Sequence, residues 1–203
     1  MPHVAHLSKD KKLKKIIELQ EPFVLAKKKN AYLHLCYSIM SQQLSTKVAD
    51  VFHRRFLELY GGKEPTAEQI SITAFEKLRG IGLSNAKANY VLNVSRFFID
   101  EKITDDDLHK MNNEEVIKYL TQIKGVGPWT VEMILMFTLG REDIFAVDDL
   151  GIQQAVCKLY KIDATDKKAM KEKMLSVSKK WSPYRTYACR YLWGWKDNVP
   201  DTP

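Results

Sequence analysis

Apolar residues recur three and four positions apart along most of this chain. Leu33, Cys36, Tyr37, Met40 and Leu44 follow that spacing, and so do Val48, Val51, Phe52, Phe56 and Leu59. Both stripes predict amphipathic helices, because residues at those intervals share one helix face. Leu13, Ile16, Ile17 and Leu19 predict a single amphipathic helix near the start of the chain. Helix-start signals mark further elements. Thr66 with Gln69, Thr73 with Glu76, and Asn112 with Glu115 have the capping-box spacing, in which a side chain at the cap and one three residues on satisfy each other's backbone amides. Thr104 followed by Asp105, Asp106 and Asp107 reads as a helix start whose acids suit the helix dipole. Gly61-Gly62 predicts a turn. Later in the chain, residues 151–160 are expected to be helical, Asp166 to open a Lys-rich helix reaching Lys180, and a last helix to run from the Trp181-Ser182-Pro183 region through Trp193, with Pro183 in its first turn. No stretch alternates convincingly, so the pattern predicts an all-α protein.

Glycine interrupts this pattern twice in the same way. The helix opened by Asn112 is expected to run from Asn113 to about Gln122. Gly125-Val126-Gly127 follows, and Pro128 begins a strongly apolar segment that Gly140 ends. Two glycines allow left-handed backbone angles and let another molecule approach bare amides. Proline fits the first helical position, where its missing N–H costs nothing. The prediction is helix, tight hairpin, helix over about 113–140, with hairpin amides at a helix N-terminus, an arrangement that suits an anion. Phe75 to Ala88 repeats the shape around Gly80-Ile81-Gly82, and the helix after it is expected to reach about Ile99.

Charge gives that anion a class. The 203 residues carry a net charge of +7, which favours a polyanionic partner, and phosphates of nucleic acid are the obvious one. Lys9, Lys11, Lys12, Lys14 and Lys15 crowd the N-terminal helix, either as its solvated face or as an arm toward phosphate. Cys36, Cys157 and Cys189 are scattered and odd in number, which predicts a reducing compartment, no disulfides and no four-cysteine iron–sulfur cluster. No apolar run is long enough for a bilayer and no signal core opens the chain. An intracellular protein without a membrane partner is expected, monomeric by default.

One constellation is specific. Lys124-Gly125-Val126-Gly127-Pro128-Trp129-Thr130 is followed, twenty residues after Trp129, by Val147-Asp148-Asp149-Leu150. Together these resemble the helix-hairpin-helix DNA glycosylase superfamily, and within it the 3-methyladenine DNA glycosylase II branch. The resemblance covers roughly residues 30–195. It implies two helical lobes carrying a helix-hairpin-helix motif, with an active-site cleft between the lobes, in a single catalytic domain over residues 1–203. It also implies hydrolysis of the bond between an alkylated purine and deoxyribose in duplex DNA.

That reaction builds positive charge on the sugar, so a fixed carboxylate stabilises its transition state and orients or deprotonates the attacking water. Asp149 falls on the family's catalytic aspartate. Asp148 is its rival, and on residue type alone either acid reads as a helix cap. In relatives that also cut the backbone, the place of Trp129 holds a lysine that forms a Schiff base. Indole lacks that chemistry but attracts a cationic base through its π face. The resemblance therefore implies a monofunctional glycosylase that leaves an abasic site.

It further implies Trp193 as a second pocket aromatic, with Tyr191 and Trp195 as core. Met133 departs from the Tyr of some relatives. Gln42, in the polar interruption Ser41-Gln42-Gln43-Leu44-Ser45, reads either as part of an interhelical turn capped by Ser45 or as a pocket residue similar to one in the family. Lys124, Gly125, Val126 and Gly127 are expected at the DNA backbone. Leu83 is expected as a wedge filling the gap left by a flipped nucleotide, or otherwise as core. The carbonyls of Thr121, Ile123 and Val126 match positions that hold a monovalent cation, Na⁺ or K⁺, in the family; no cofactor is required. Two rival readings remain, a glycosylase/lyase on oxidised bases and a non-catalytic DNA-binding module.

Overall fold

The structure is a computed structural model that describes residues 1–198. Among them every regular element is helical: α1 (Pro2–Leu7), α2 (Lys11–Ile17), α3 (Ala31–Ser41), α4 (Thr46–Glu58), α5 (Ala67–Ser71), α6 (Phe75–Gly80), α7 (Asn85–Asp100), α8 (Asp105–Lys110), α9 (Asn113–Leu120), α10 (Pro128–Phe137), α11 (Leu150–Tyr160), α12 (Lys167–Ser178) and α13 (Arg185–Asn198). A short 3₁₀ turn spans Lys179–Trp181. The all-α expectation holds.

The chain divides into two compact units. One comprises residues 27–139. Its core is the stripe on α3, where Leu33, Leu35, Cys36, Ile39 and Met40 are buried, packed with α7 and α10. Capping boxes begin α5 and α9 as the Thr66/Gln69 and Asn112/Glu115 spacings require, and the helix start expected at Thr104 is itself a capping box, closed by Asp107. Asp105 extends this role, since its carboxylate accepts the amides of Asn30 (2.7 Å) and Ala31 (2.9 Å) at the start of α3. The Thr73/Glu76 box does not form. Ala74 is the cap of α6, and the Thr73 hydroxyl instead donates to the Gln69 carbonyl at 2.8 Å and meets the Tyr60 hydroxyl at 2.8 Å.

The other unit joins residues 1–26 to residues 140–203. The single N-terminal helix of the sequence reading is two helices, and α2 ends before Leu19, which is 73% exposed. The break falls at Asp10, which caps α2 and is held by a network. Asp10 Oδ2 accepts from Lys180 Nζ at 2.8 Å and from Trp181 Nε1 at 3.1 Å, and the Tyr160 hydroxyl donates to it as well. Burial pushes the Asp10 carboxyl up, but the bonds from Lys180, Tyr160, Trp181 and the Lys12 amide outweigh it and hold the group at about 2. The lysines of α2 are exposed, and Lys12 lies over the Tyr160 ring. Pro183 stands outside the last helix, in a cis peptide bond with Ser182, and α13 begins at Arg185.

Candidate active site

The hairpin lies in the unit of residues 27–139. Pro128 is the first residue of α10 and Gly127 its cap. The two glycines act differently. Gly125 has φ +105°, and a Cβ there would sit 2.1 Å from the ring of Tyr90 on α7. Gly127 has an extended φ of −100° and open space where a side chain would project. Gly125 is thus demanded by the fold, whereas Gly127 has neither a left-handed angle nor a neighbour that a side chain would meet. Asn93 Nδ2, also on α7, donates to the Lys124 carbonyl at 3.2 Å, so α7 supports the hairpin at two points. The Lys124 side chain is exposed. The Val126 amide donates to the Ile123 carbonyl at 2.9 Å and its side chain is buried.

Gly80-Ile81-Gly82 is not a copy of this hairpin. Its left-handed residue is the second glycine, Gly82 at +107°, packed on Phe52. Leu83 is 1% exposed. The wedge expectation for Leu83 is therefore corrected: the Gly82 turn directs this side chain into the core, and Arg79 donates to its carbonyl.

Gln42 does sit in an interhelical turn, with Ser45 as the cap residue of α4. Its Nε2 donates to Thr130 Oγ1 at 3.2 Å, which ties the turn to the residue after Trp129. Lys87 holds the same turn from the other side, donating to the Met40 and Gln42 carbonyls at 3.0 and 2.7 Å. Burial lowers the Lys87 ammonium from its ordinary value. Trp129 and Met133 are partly buried in α10.

Asp148, Asp149 and Trp193 lie in the other unit, where the structure separates the two acids. Asp148 is exposed and ion-paired with Lys171. Asp149 caps α11, its Oδ1 accepting the Ile152 amide at 2.8 Å. The same oxygen accepts Trp193 Nε1 at 2.8 Å. Gly151 makes the meeting sterically feasible, since a Cβ there would lie 3.1 Å from Asp149 Oδ1 and 3.1 Å from Trp193 Cδ1. Trp193 thus acts first as a donor to the carboxylate. Tyr191 is core, as expected, while Trp195 is only partly buried beneath the Lys158 ammonium.

The segment leading to Asp149 is pinned along α13. Arg185 grips Asp143 with Nε to Oδ1 at 2.7 Å and Nη2 to Oδ2 at 2.9 Å, and Ser182 donates to Oδ2 at 2.8 Å. Burial raises the Asp143 carboxyl, but the Arg185 and Ser182 bonds outweigh it and keep the group below its ordinary value. Sequence reasoning missed Asp143, Arg185, Gly151, Lys87 and Tyr90, each of which has a partner remote in sequence.

Among the described residues no group of three or more His, Cys, Asp or Glu side chains has the placement of a metal site, and no helix is long and apolar enough to cross a membrane. Cys36, Cys157 and Cys189 form no disulfide among the described residues.

Comparison with known proteins converges on one family. Residues 36–180 match the HhH-GPD superfamily base excision DNA repair protein. DNA-3-methyladenine glycosylase 1 of Schizosaccharomyces pombe is 36% identical over 194 residues, covering 94% of this chain and 84% of the relative. A putative DNA-3-methyladenine glycosylase of Bacillus subtilis is 37% identical over 161 residues, covering 76% of this chain; the chain spans only 55% of that relative's length. The solved structure of the S. pombe 3-methyladenine DNA glycosylase in complex with abasic DNA superimposes with a TM-score of 0.88 at 33% identity, covering 100% of both chains.

Proposed function

Since this chain belongs to the HhH-GPD superfamily of base excision DNA repair proteins, we propose that it is a monofunctional DNA-3-methyladenine glycosylase, with Asp149 as its reactive carboxylate. The observation that carries the assignment is the fixed geometry of Asp149. Its neighbour Asp148 is exposed and paired with Lys171, while Asp149 accepts two N–H donors, from Ile152 and Trp193, on one oxygen, which fixes where its carboxylate stands.

In the proposed reaction the bond between C1′ and the base nitrogen breaks, and its electron pair leaves with the base. For a cationic alkylated purine that pair neutralises the leaving group. The carboxylate of Asp149 stabilises the positive charge left on the sugar. Water oxygen then bonds to C1′ and releases one proton through the carboxylate to solvent. Trp129 supplies a π face for a cationic base. A tryptophan in this position forms no Schiff base, so the abasic strand stays intact.

The bare backbone around Gly127 and the exposed Lys124 suit a DNA phosphate. The carbonyls of Thr121, Ile123 and Val126 are hard oxygen donors, and among the described residues no backbone amide donates to those of Thr121 and Val126, which fits a monovalent cation. Such a cation would neutralise charge on the same phosphate. The partner is duplex DNA with a damaged base, engaged by a monomer.

The test is incubation with methylated duplex DNA, with free bases and strand breaks followed separately. Free 3-methyladenine, with breaks only after alkali, is the expected result. Strand cleavage without alkali refutes the monofunctional reading, and salt-sensitive binding without base release refutes catalysis.

A further inference from the structure

The clamp between Asp143 and Arg185 lies six residues before Asp149 and has no part in the chemistry proposed above. It nevertheless begins a continuous chain of contacts that ends on Asp149. Thr186, next to Arg185, accepts the Ile144 amide at 3.0 Å on its hydroxyl, and that hydroxyl donates to the Arg141 carbonyl at 2.6 Å. Cys189, one turn on, contacts the Ile144 carbonyl through Sγ at 3.9 Å. Ile144, Phe145 and Ala146 are buried. The segment then folds on itself, the Val147 amide donating to the Phe145 carbonyl at 2.9 Å and the Asp149 amide to the Ala146 carbonyl at 3.1 Å. Gln153 Nε2 holds the Val147 carbonyl at 2.9 Å. At the far end Trp193, two turns beyond Arg185 on the same helix, holds Asp149 Oδ1.

One helix therefore fixes both ends of the segment. Arg185 and Trp193 are eight residues apart, ~12 Å along a rigid helix. The geometry points to Asp143 and Arg185 as positioning residues: their two-pronged pair sets where the segment starts on α13 and, through the buried turns that follow, where the Asp149 carboxylate stands. A planar guanidinium gripping both carboxylate oxygens fixes orientation as well as distance, which a point charge does not. The inference rests on the reading of Asp149 as the reactive group.

Two readouts test it, one of which needs no activity. In Asp143→Asn and Arg185→Lys, single-turnover base release is expected to fall on the order of 10²-fold, as for sub-ångström to 1 Å displacement of a reacting group, with the DNA concentration for half-maximal rate unchanged. In the same variants the indole N–H resonance of Trp193, identified by its absence in Trp193→Phe, is expected to shift while the helical circular dichroism stays that of the wild type. Arg185→Lys keeps the charge and so guards against a variant that simply does not fold. A loss of stability with unchanged single-turnover rate and an unmoved Trp193 resonance would overturn the proposal. If the wild type releases no base but the resonance still moves, the glycosylase reading fails while the coupling stands.

Discussion

Replacing Asp149 by asparagine and by alanine separates its two roles. Asp149 Oδ1 accepts the Ile152 amide and the Trp193 indole, both at 2.8 Å. Asparagine retains an oxygen that accepts both, so Asp149→Asn is expected to leave stability within ~1 kcal/mol of the wild type. It removes the negative charge, however, and single-turnover base release should fall by about 10²–10⁴-fold, or ~3–5 kcal/mol of transition-state stabilisation. Alanine removes the acceptor too. Loss of the cap costs ~1 kcal/mol, and leaving the partly buried Trp193 N–H without its partner a further ~1–3 kcal/mol. Asp149→Ala should therefore unfold ~2–4 kcal/mol more easily, roughly 4–16 °C lower in melting temperature for a chain of this size. The assays are quenched-flow base release from methylated duplex DNA and urea unfolding followed by circular dichroism. DNA binding should survive in the asparagine variant. If asparagine retains wild-type release, or if it is as destabilised as alanine, the assignment of the carboxylate as both cap and charge is wrong.

Three further outcomes follow from the geometry. Gly125→Ala forces a side chain into a left-handed position and onto the Tyr90 ring, so it should cost more than ~2 kcal/mol of stability and weaken binding to undamaged DNA; the urea midpoint and a salt titration of affinity check this, and an unchanged midpoint contradicts it. Asp10 titrates at about 2 in the folded chain against an ordinary value of 3.8, so its ionised network contributes ~2 kcal/mol that is present above pH 4 and lost as pH falls through 2; the stability gap between wild type and Asp10→Asn should shrink between pH 6 and pH 2.5, and a constant gap counts against the network. Lys87→Met removes two charge-assisted bonds from the end of α3, an expected loss of ~2–3 kcal/mol, with reduced base release if the Gln42 turn supports the Trp129 helix.

The features legible in the chain were those set within a few residues of one another. Capping boxes at Asn112/Glu115 and Thr66/Gln69, the helix start at Thr104, proline at the head of α10, and the apolar stripe of α3 each depend on helix geometry over one or two turns, which side-chain spacing encodes directly. Thr73/Glu76 has the same spacing, yet the Thr73 hydroxyl is taken by Tyr60 thirteen residues away, so a tertiary contact overrode the local one.

Tertiary structure decided everything that required two distant segments to meet. Asp148 and Asp149 are adjacent acids that the chain alone does not tell apart; the structure gives each a distinct partner, Lys171 for Asp148 and Trp193, 44 positions away, for Asp149. Leu83 has the composition of an exposed wedge and the burial of a core residue, because the direction of a side chain after a left-handed glycine depends on what the turn packs against. Gly125 and Gly127 look alike in the chain, but only Gly125 faces a ring from α7. By itself the sequence determined most of the helices, the hairpin and the kind of chemistry its residue types support. Which side chains stand together depends on packing between segments, and no local periodicity carries that information.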